Sequence, residues 1–117
     1  MQFDCIRIYG PYWREVGSLL TNLFEGESSN STDGNLVRVS AGPFSWELRD
    51  GALVGEIKSQ EFRIVVETLE ELKQLQQRSE FLSFTNPKSV SLLTRVENGQ
   101  FILIDGNGAR WVFANKQ

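Results

Sequence analysis

The residue types that most often carry out catalysis are scarce in this sequence. It has no histidine and one cysteine, Cys5. The absence of histidine excludes the Ser-His and Cys-His nucleophile systems and removes the commonest zinc or iron ligand. Any bound metal would therefore lie among carboxylate and carbonyl oxygens, which suit magnesium, calcium or manganese. Cys5 occupies an alternating position in a predicted strand, so we expect a small buried hydrophobe there and not a reactive thiol.

An acid and a base flank a turn near the end of the chain. In FILIDGNGARWVF, residues 101–113, Asp105 precedes a Gly-Asn-Gly turn and Arg110 follows it. Apolar residues on both sides of a short glycine-containing turn are typical of a β-hairpin. We therefore expect two strands here, with Asp105 and Arg110 facing each other.

Composition and charge limit the classes of partner. The chain has 117 residues, 40% of them hydrophobic, and a formal net charge of -3 from fifteen acidic and twelve basic residues that are scattered along it. No basic patch predicts binding to nucleic acid or to an anionic membrane. The longest uncharged stretch, residues 16–24, is too short to span a bilayer, and no signal peptide is evident. We expect a single cytoplasmic domain.

The first half of the chain predicts a strand, a helix and three further strands. Residues 2–9 favour a strand, and Pro11 opens a helix whose apolar residues recur at helical spacing up to Gly26. Residues 27–35 are small and polar and indicate an exposed loop. Three strands follow at 36–40, 44–49 and 52–58. The Asp50-Gly51 turn would pair the last two, with Phe44 opposite Ile57, Trp46 opposite Gly55 and Leu48 opposite Leu53.

The second half repeats this order of elements. A strand ends at Val66, and Thr68 with Glu71 forms a capping box in front of a helix. Residues 81–88 are interpreted as irregular because Pro87 interrupts them. Strands at 89–96, 100–104 and 109–113 complete the half, the first two being joined by the Asn98-Gly99 turn. The sequence thus predicts an α+β fold of two βαβββ modules, about residues 1–59 and 60–117.

This arrangement resembles the vicinal oxygen chelate superfamily, which includes glyoxalases, bleomycin-resistance proteins and extradiol dioxygenases. A hairpin of that superfamily commonly reads Asp-Pro-Asp-Gly-Asn-Arg-Trp-Glu-Leu, and residues 105–113 read Asp-Gly-Asn-Gly-Ala-Arg-Trp-Val-Phe. FDCIRI resembles the opening strand, and VVETLEELKQL resembles the strand and helix of the second module. The resemblance covers the whole chain and implies a curved mixed sheet or half-barrel.

The resemblance also locates the positions at which metal enzymes of this superfamily carry their ligands. These positions hold Cys5, a residue at or near Glu61, and Val112, where the superfamily usually has glutamate. An aliphatic side chain has no lone pair to donate, and the only carboxylates left as candidates are Glu56 and Glu61. We therefore expect no metal and no other cofactor.

Without a metal, the resemblance implies a groove that binds a small molecule, as in bleomycin-resistance proteins, and no catalysis. Aromatic side chains are expected to line it and to hold a small aromatic or cationic molecule by stacking and cation–π contacts. We expect a homodimer, by analogy with the superfamily. The candidate ligand-binding residues are Trp46 and Trp111, followed by Tyr9, Phe44 and Phe101.

Two other classes of function fit the same sequence. One is a divergent metal-dependent lyase or dioxygenase of this fold that uses Glu56 and Glu61. The other is a small bacterial immunity or regulatory protein that binds another protein, for which the modest size and acidic balance are typical. Metal analysis would distinguish the first alternative, and a stoichiometric protein partner would distinguish the second.

Overall fold

The computed structural model describes residue 1 and residues 4–32, 34–51 and 60–116. The predicted strand 52–58, its pairing through Asp50-Gly51 and the candidate ligand Glu56 lie outside the described residues. Contacts along the backbone divide the chain into two compact units, Met1–Ile57 and Lys58–Gln117. Each unit is described below by itself.

The described part of unit 1 contains one helix and a four-stranded mixed sheet. Its elements are β1 (Ile6–Tyr9), α1 (Trp13–Leu23), β2 (Glu27–Asn30), β3 (Leu36–Ala41) and β4 (Phe44–Arg49). The sheet order is β1-β4-β3-β2, in which β1 runs parallel to β4 and the other pairs are antiparallel.

Alternation along β4 separates the core of unit 1 from the opposite face of the sheet. Trp46 and Leu48 are buried, and Leu48 faces α1 at Gly17, where an added Cβ would meet Val37 at 3.2 Å and Leu48 at 3.8 Å. Because successive side chains of a strand point to opposite faces, Glu47 and its neighbours on β4 lie on the face away from the helix. That face carries most of the charged groups described below.

The prediction of a loop over residues 27–35 is wrong, because residues 27–30 form strand β2. All four residues of β2 are exposed, and their backbone pairs with β3, Glu27 lying opposite Ser40. β2 is the edge strand of the sheet, so neither of its faces needs apolar side chains. The alternation that predicts a strand is therefore missing from its sequence.

Unit 2 has the same order of elements and a sheet of order β5-β8-β7-β6, with β5 parallel to β8. One half of the predicted capping box is present, since the Thr68 hydroxyl accepts a hydrogen bond from the Glu71 backbone N–H at 3.1 Å, while the Glu71 carboxylate accepts from the Glu67 backbone N–H at 3.3 Å. The elements are β5 (Glu61–Val66), α2 (Leu69–Thr85), a 3-10 helix (Pro87–Ser89), β6 (Val90–Leu93), β7 (Gln100–Asp105) and β8 (Arg110–Asn115).

Helix α2 is longer than the sequence predicts, so the irregular segment 81–88 is wrong in its first half. The helix continues to Thr85 and is followed by the 3-10 helix that begins at Pro87. Phe81 and Phe84 lie on its last turns with exposed fractions of 65% and 82%, so the helical spacing of buried residues stops before the helix does. Over the described ranges, no helix is long and apolar enough to cross a bilayer.

The α+β fold of two βαβββ modules is confirmed. Each unit has a strand, a helix and then three antiparallel strands, and in each the first strand pairs in parallel with the last. The parallel pairing brings residues together that are about 40 positions apart in the sequence. This pairing creates the candidate site.

Candidate functional site

Glu47 lies at the centre of a group of charged side chains on the face of the unit 1 sheet opposite α1. In the register of the sheet, Glu47 is opposite Arg7 on the parallel strand β1 and opposite Arg38 on the antiparallel strand β3. Arg49 is two residues further along β4 and therefore on the same face. We call Arg7, Arg38 and Arg49 around Glu47 the arginine cluster.

Each arginine of the cluster approaches the Glu47 carboxylate. Arg7 Nε donates to Glu47 Oε1 at 3.0 Å, and Arg49 Nη2 donates to the same oxygen at 3.4 Å. Arg38 Nη1 lies 3.6 Å from Oε2. The Glu47 side chain is only 10% exposed, whereas the Arg7, Arg38 and Arg49 side chains are 58%, 37% and 35% exposed. The carboxylate is thus buried beneath cations that still reach solvent.

The cluster has more positive charge and more hydrogen-bond donors than its own acceptors use. Besides Glu47, the acceptors are Asp4, whose Oδ1 lies 2.8 Å from Arg38 Nη2, and the Ser45 hydroxyl, 3.3 Å from Arg38 Nε. Every guanidinium carries several N–H donors. Among the described residues, Arg49 Nε is buried and has no hydrogen-bond partner. Over the same residues, the cluster contains three cations and two carboxylates, which leaves an excess of positive charge and N–H donors without an acceptor.

The contacts within the cluster shift the pKa values of its groups in the direction that keeps them charged. The hydrogen bond to Glu47 raises the pKa of Arg7, and the hydrogen bond to Asp4 raises the pKa of Arg38. The same Arg38 contact lowers the pKa of Asp4 from its ordinary 3.8. These arginines and Asp4 therefore stay charged throughout the neutral range.

Cys5 lies beside the cluster as a half-buried thiol. Burial raises the pKa of Cys5, and the nearby carboxylates of Glu47 and Asp4 raise it further. Because the thiolate is the form that binds metals and attacks electrophiles, this environment suppresses both activities. Cys5 therefore contributes shape to this face and little reactivity.

Tyr9 is the one predicted aromatic candidate that the structure places next to the cluster. Its Cα is paired with Arg49 across β1 and β4, and its exposed fraction is 53%. Phe44 and Trp46 alternate with Glu47 along β4 and lie on the other face, where Phe44 stacks on Trp46 with ring centroids 5.7 Å apart. Trp46, 1% exposed, also stacks on Phe24 at 5.4 Å, which gives it a packing role in the core.

The aromatic candidates of unit 2 are buried as well. Phe101 and Trp111 are each 1% exposed. Phe101 stacks on Phe113 at 4.7 Å, and Trp111 stacks on Phe62 at 4.5 Å. Ligand contact by Trp46, Phe101 and Trp111 stays a prediction, and their burial is accounted for by these stacking partners.

The expectation that Asp105 faces Arg110 is wrong. In the register of β7 and β8, Arg110 is opposite Ile104, and its Nε lies 3.3 Å from Glu61 Oε1 on β5. Asp105 is fully buried, and its Oδ1 accepts hydrogen bonds from the Asn107 and Ala109 backbone N–H groups at 2.9 and 3.1 Å.

Trp111 completes the binding of the Asp105 carboxylate. The indole Nε1 donates to Asp105 Oδ2 at 2.9 Å. Burial raises the pKa of Asp105, and the three N–H donors oppose that rise. The Asp-Gly-Asn-Gly-Ala-Arg-Trp segment is therefore a structural clasp: an aspartate binds the turn backbone, and a tryptophan anchors the aspartate to the core.

The positions that the resemblance assigns to metal ligands do not fit a metal. Val112 is a buried aliphatic residue, Glu61 is paired with Arg110, and the pKa of Cys5 is raised. Within the part of the chain that the structure describes, no three His, Cys, Asp or Glu side chains form a group that could hold an ion. Glu56 lies outside the described residues. We derive no step that involves a metal.

Sequence reasoning did not find the arginine cluster as a unit. Alternation along FSWELR places Glu47 and Arg49 on the polar face of β4, and the same alternation places Arg7 on one face of β1. The missing information was the pairing of β1 with β4, because only this pairing sets Arg7 beside Glu47.

The fold of these two modules is similar to that of solved fosfomycin resistance proteins and of a lactoylglutathione lyase, in agreement with the fold that the resemblance to the vicinal oxygen chelate superfamily implies. The fosfomycin resistance protein FosX from Listeria monocytogenes matches with a TM-score of 0.74 at 12% identity, over 99% of this chain and 91% of its own. FosX from Mesorhizobium loti matches with a TM-score of 0.75 at 8% identity, over 99% and 92%. Lactoylglutathione lyase from Agrobacterium tumefaciens matches with a TM-score of 0.64 at 17% identity, over 97% and 92%.

These similarities concern the fold, because the sequences are 8 to 17% identical. A scan of protein-family models and a search of curated proteins found no match to the chain. One structure of a mutant Listeria FosX contains Mn(II) and 1S,2S-dihydroxypropylphosphonic acid. The fold is thus shared with enzymes and resistance proteins, and the function of this chain must be argued from its own residues.

Proposed function

We propose that this protein binds a small anionic molecule through the arginine cluster, without a metal and without chemical conversion of the ligand. One observation carries the proposal: three arginines surround a single buried carboxylate, and their side chains are 35% to 58% exposed. Among the described residues, these guanidinium groups have more N–H donors than Glu47, Asp4 and Ser45 occupy, so a ligand oxygen can accept hydrogen bonds from the exposed ones.

The sign of the charge favours an anion over the cationic ligand that the sequence suggested. An arginine presents its N–H donors as a planar fork that matches a carboxylate or a phosphonate. The phosphonic acid in the FosX structure shows that a protein of this fold can be crystallised with an anionic ligand. We propose a small carboxylate or phosphonate for this chain.

Tyr9 supplies the second half of the proposed site. It is 53% exposed and lies opposite Arg49, so an aromatic or apolar part of the ligand could stack on its ring while the anionic group contacts the arginines. The aromatic component of the expected ligand is thereby retained, with Tyr9 as its contact. Phe44 lies on the other face of the sheet and is not part of this site.

The side chains of the cluster support the proposal of binding without turnover. The cluster holds arginines that stay protonated, a carboxylate that is already paired, and a thiol whose pKa is raised, so it lacks a free general base or nucleophile. A binding role of the bleomycin-resistance type fits such a set.

We propose in addition that the protein is a cytoplasmic homodimer. Sedimentation equilibrium tests the oligomeric state, and cell fractionation tests the localisation.

Calorimetric titration of chelator-treated protein tests the proposal. The titrants are a panel of small aromatic carboxylates and phosphonates, with the matching amines as cationic controls. We expect binding of at least one anion, a loss of about tenfold or more in affinity in Arg7→Gln, and no loss in Arg95→Gln, which removes the same charge from an exposed residue of unit 2. Binding that requires added manganese or nickel, or an equal loss in both variants, would contradict the proposal.

A further inference from the structure

A pocket lies in unit 2, and none of its lining residues belongs to the arginine cluster. It has a volume of about 350 Å³ and is lined by the ends of β5 and β8 and by the turn before β7. That volume is sufficient for a small ligand. The polar residues of its lining include Arg63, Asn98, Gln100, Asn115 and Lys116.

The turn and the strand end that form the pocket are held in place by backbone hydrogen bonds. Asn115 N–H donates to the Gly99 carbonyl at 3.0 Å, and Lys116 N–H donates to the Val66 carbonyl at 2.7 Å. Asn98 and Gly99 both have positive φ, 53° and 72°, as a two-residue hairpin turn requires. A Cβ on Gly99 would lie 2.6 Å from Asn115 Oδ1, so glycine allows the turn to pack against that side chain. The pocket is thus preformed.

Charge in this pocket is uncompensated. Arg63 and Lys116 are exposed, and among the described residues neither has a carboxylate within ion-pair distance. In the arginine cluster, by contrast, each arginine contacts Glu47. Two cations that line one pocket, with no acidic residue in the lining, favour an anion there, although the net charge of the protein is negative.

The rest of the lining fits an anion that carries an organic group. The amides of Asn98 and Gln100 offer further N–H donors, and the side chains of Val65 and Ala114, paired in register, give an apolar floor. Val65 is 57% exposed, so apolar contact with a ligand would remove it from water.

We propose that this pocket is a separate binding site for a small oxyanion, a carboxylate or a phosphate, contacted by Arg63 and Lys116. Its lining residues all belong to unit 2, whereas the residues of the arginine cluster belong to unit 1. The simplest ligand that tests it is inorganic phosphate.

The experiment is a two-dimensional ¹⁵N NMR titration with inorganic phosphate at constant ionic strength. Saturable shifts of the Gly99 and Lys116 amides are expected in the unchanged protein and in the charge-matched control Arg95→Gln. Arg63→Gln and Lys116→Gln should each weaken the affinity about tenfold, while Arg7→Gln leaves it unchanged.

Three outcomes would overturn the inference. They are shifts that grow linearly with phosphate, an affinity in Arg63→Gln equal to that of the unchanged protein, and an equal loss in Arg95→Gln. Because Arg63 and Lys116 are exposed, the remaining amide signals are expected to keep their positions and thus to report that the variants fold. A negative result for this pocket would not count against ligand binding at the arginine cluster, because the calorimetric titration of Arg7→Gln tests that cluster separately.

Discussion

Glu47 and Asp105 are both buried carboxylates, and they differ in what binds them. Asp105 accepts hydrogen bonds from two backbone N–H groups and an indole N–H, which are fixed by the turn and the core. Glu47 is bound by three guanidinium groups that are themselves 35% to 58% exposed and belong to three different strands. Asp105 is therefore bound by backbone groups and a buried indole, and Glu47 is bound by partly exposed side chains.

This difference indicates that Asp105 stabilises the fold, whereas the groups around Glu47 are available to a ligand. Backbone donors have no other partner to take, so removing Asp105 leaves them unsatisfied in the interior. Guanidinium groups that reach solvent can turn to water or to a ligand when Glu47 is altered. We infer that the hairpin clasp stabilises unit 2, while the arginine cluster is the surface that binds.

The largest effect is expected from removing the clasp. Asp105→Ala leaves three N–H donors without a partner, and the free energy of unfolding should fall by roughly 3 kcal/mol or more. Urea denaturation measures this loss, with Asp4→Ala as the control, because an exposed ion pair contributes little to stability. Equal losses in the two variants would remove the distinction between the buried and the exposed carboxylate.

For Glu47 we expect a smaller loss of unfolding free energy, and one that responds to added anions. Glu47→Gln leaves three arginines without their central charge and should cost about 1–2 kcal/mol of unfolding free energy. Phosphate should restore part of this loss, and its stabilising effect should exceed the one that it has on the unchanged protein. A loss as large as that of Asp105→Ala, and indifferent to phosphate, would make Glu47 a structural carboxylate too.

Removing the indole donor tests whether Trp111 and Asp105 stabilise the clasp as one hydrogen-bonded unit. Trp111→Phe keeps an aromatic ring in the core and deletes the hydrogen bond to Asp105 Oδ2, for an expected cost of about 1–2 kcal/mol. The hydrogen-bond part of this cost should vanish in a protein that already carries Asp105→Ala. Additive costs in the double variant would show that the two side chains act independently.

The smallest expected effect concerns pH. Arg38 lowers the pKa of Asp4 below 3.8 in the folded protein, so the ion pair contributes stability above pH 3.8 and loses it as the pH falls through the folded pKa. An NMR titration of the Asp4 carboxyl should therefore give a pKa below 3.8, which returns toward 3.8 in Arg38→Gln. An unchanged pKa in that variant would place Arg38 away from Asp4.

The sequence predicts the two modules because their signals are local. Thr68 and Glu71 cap α2, and Asn98-Gly99 forms the hairpin turn, each through contacts a few residues apart. Prediction from the sequence fails where an element depends on residues far away in the chain, or where its own side chains carry no pattern. β2 is polar because it is an edge strand, and α2 outlasts its buried face at Phe81 and Phe84.

The site shows the same limit. Alternation assigns Glu47 to the polar face of β4, but only the parallel pairing of β1 with β4 sets Arg7 beside it. The motif that suggested a family also suggested a contact between Asp105 and Arg110. The register instead pairs Arg110 with Glu61 of β5, because parallel β5 lies directly beside β8.

The most direct test of the proposed function is to observe the Arg49 Nε–Hε signal by NMR in chelator-treated protein during titration with a small aromatic phosphonate or carboxylate. We predict a saturable shift of this signal, accompanied by that of Arg7, because a ligand bound at the arginine cluster changes the surroundings of both guanidinium groups, which donate to the same Glu47 oxygen. Binding that leaves the Arg49 and Arg7 signals unmoved, or that appears only when a divalent metal is added, would contradict the account.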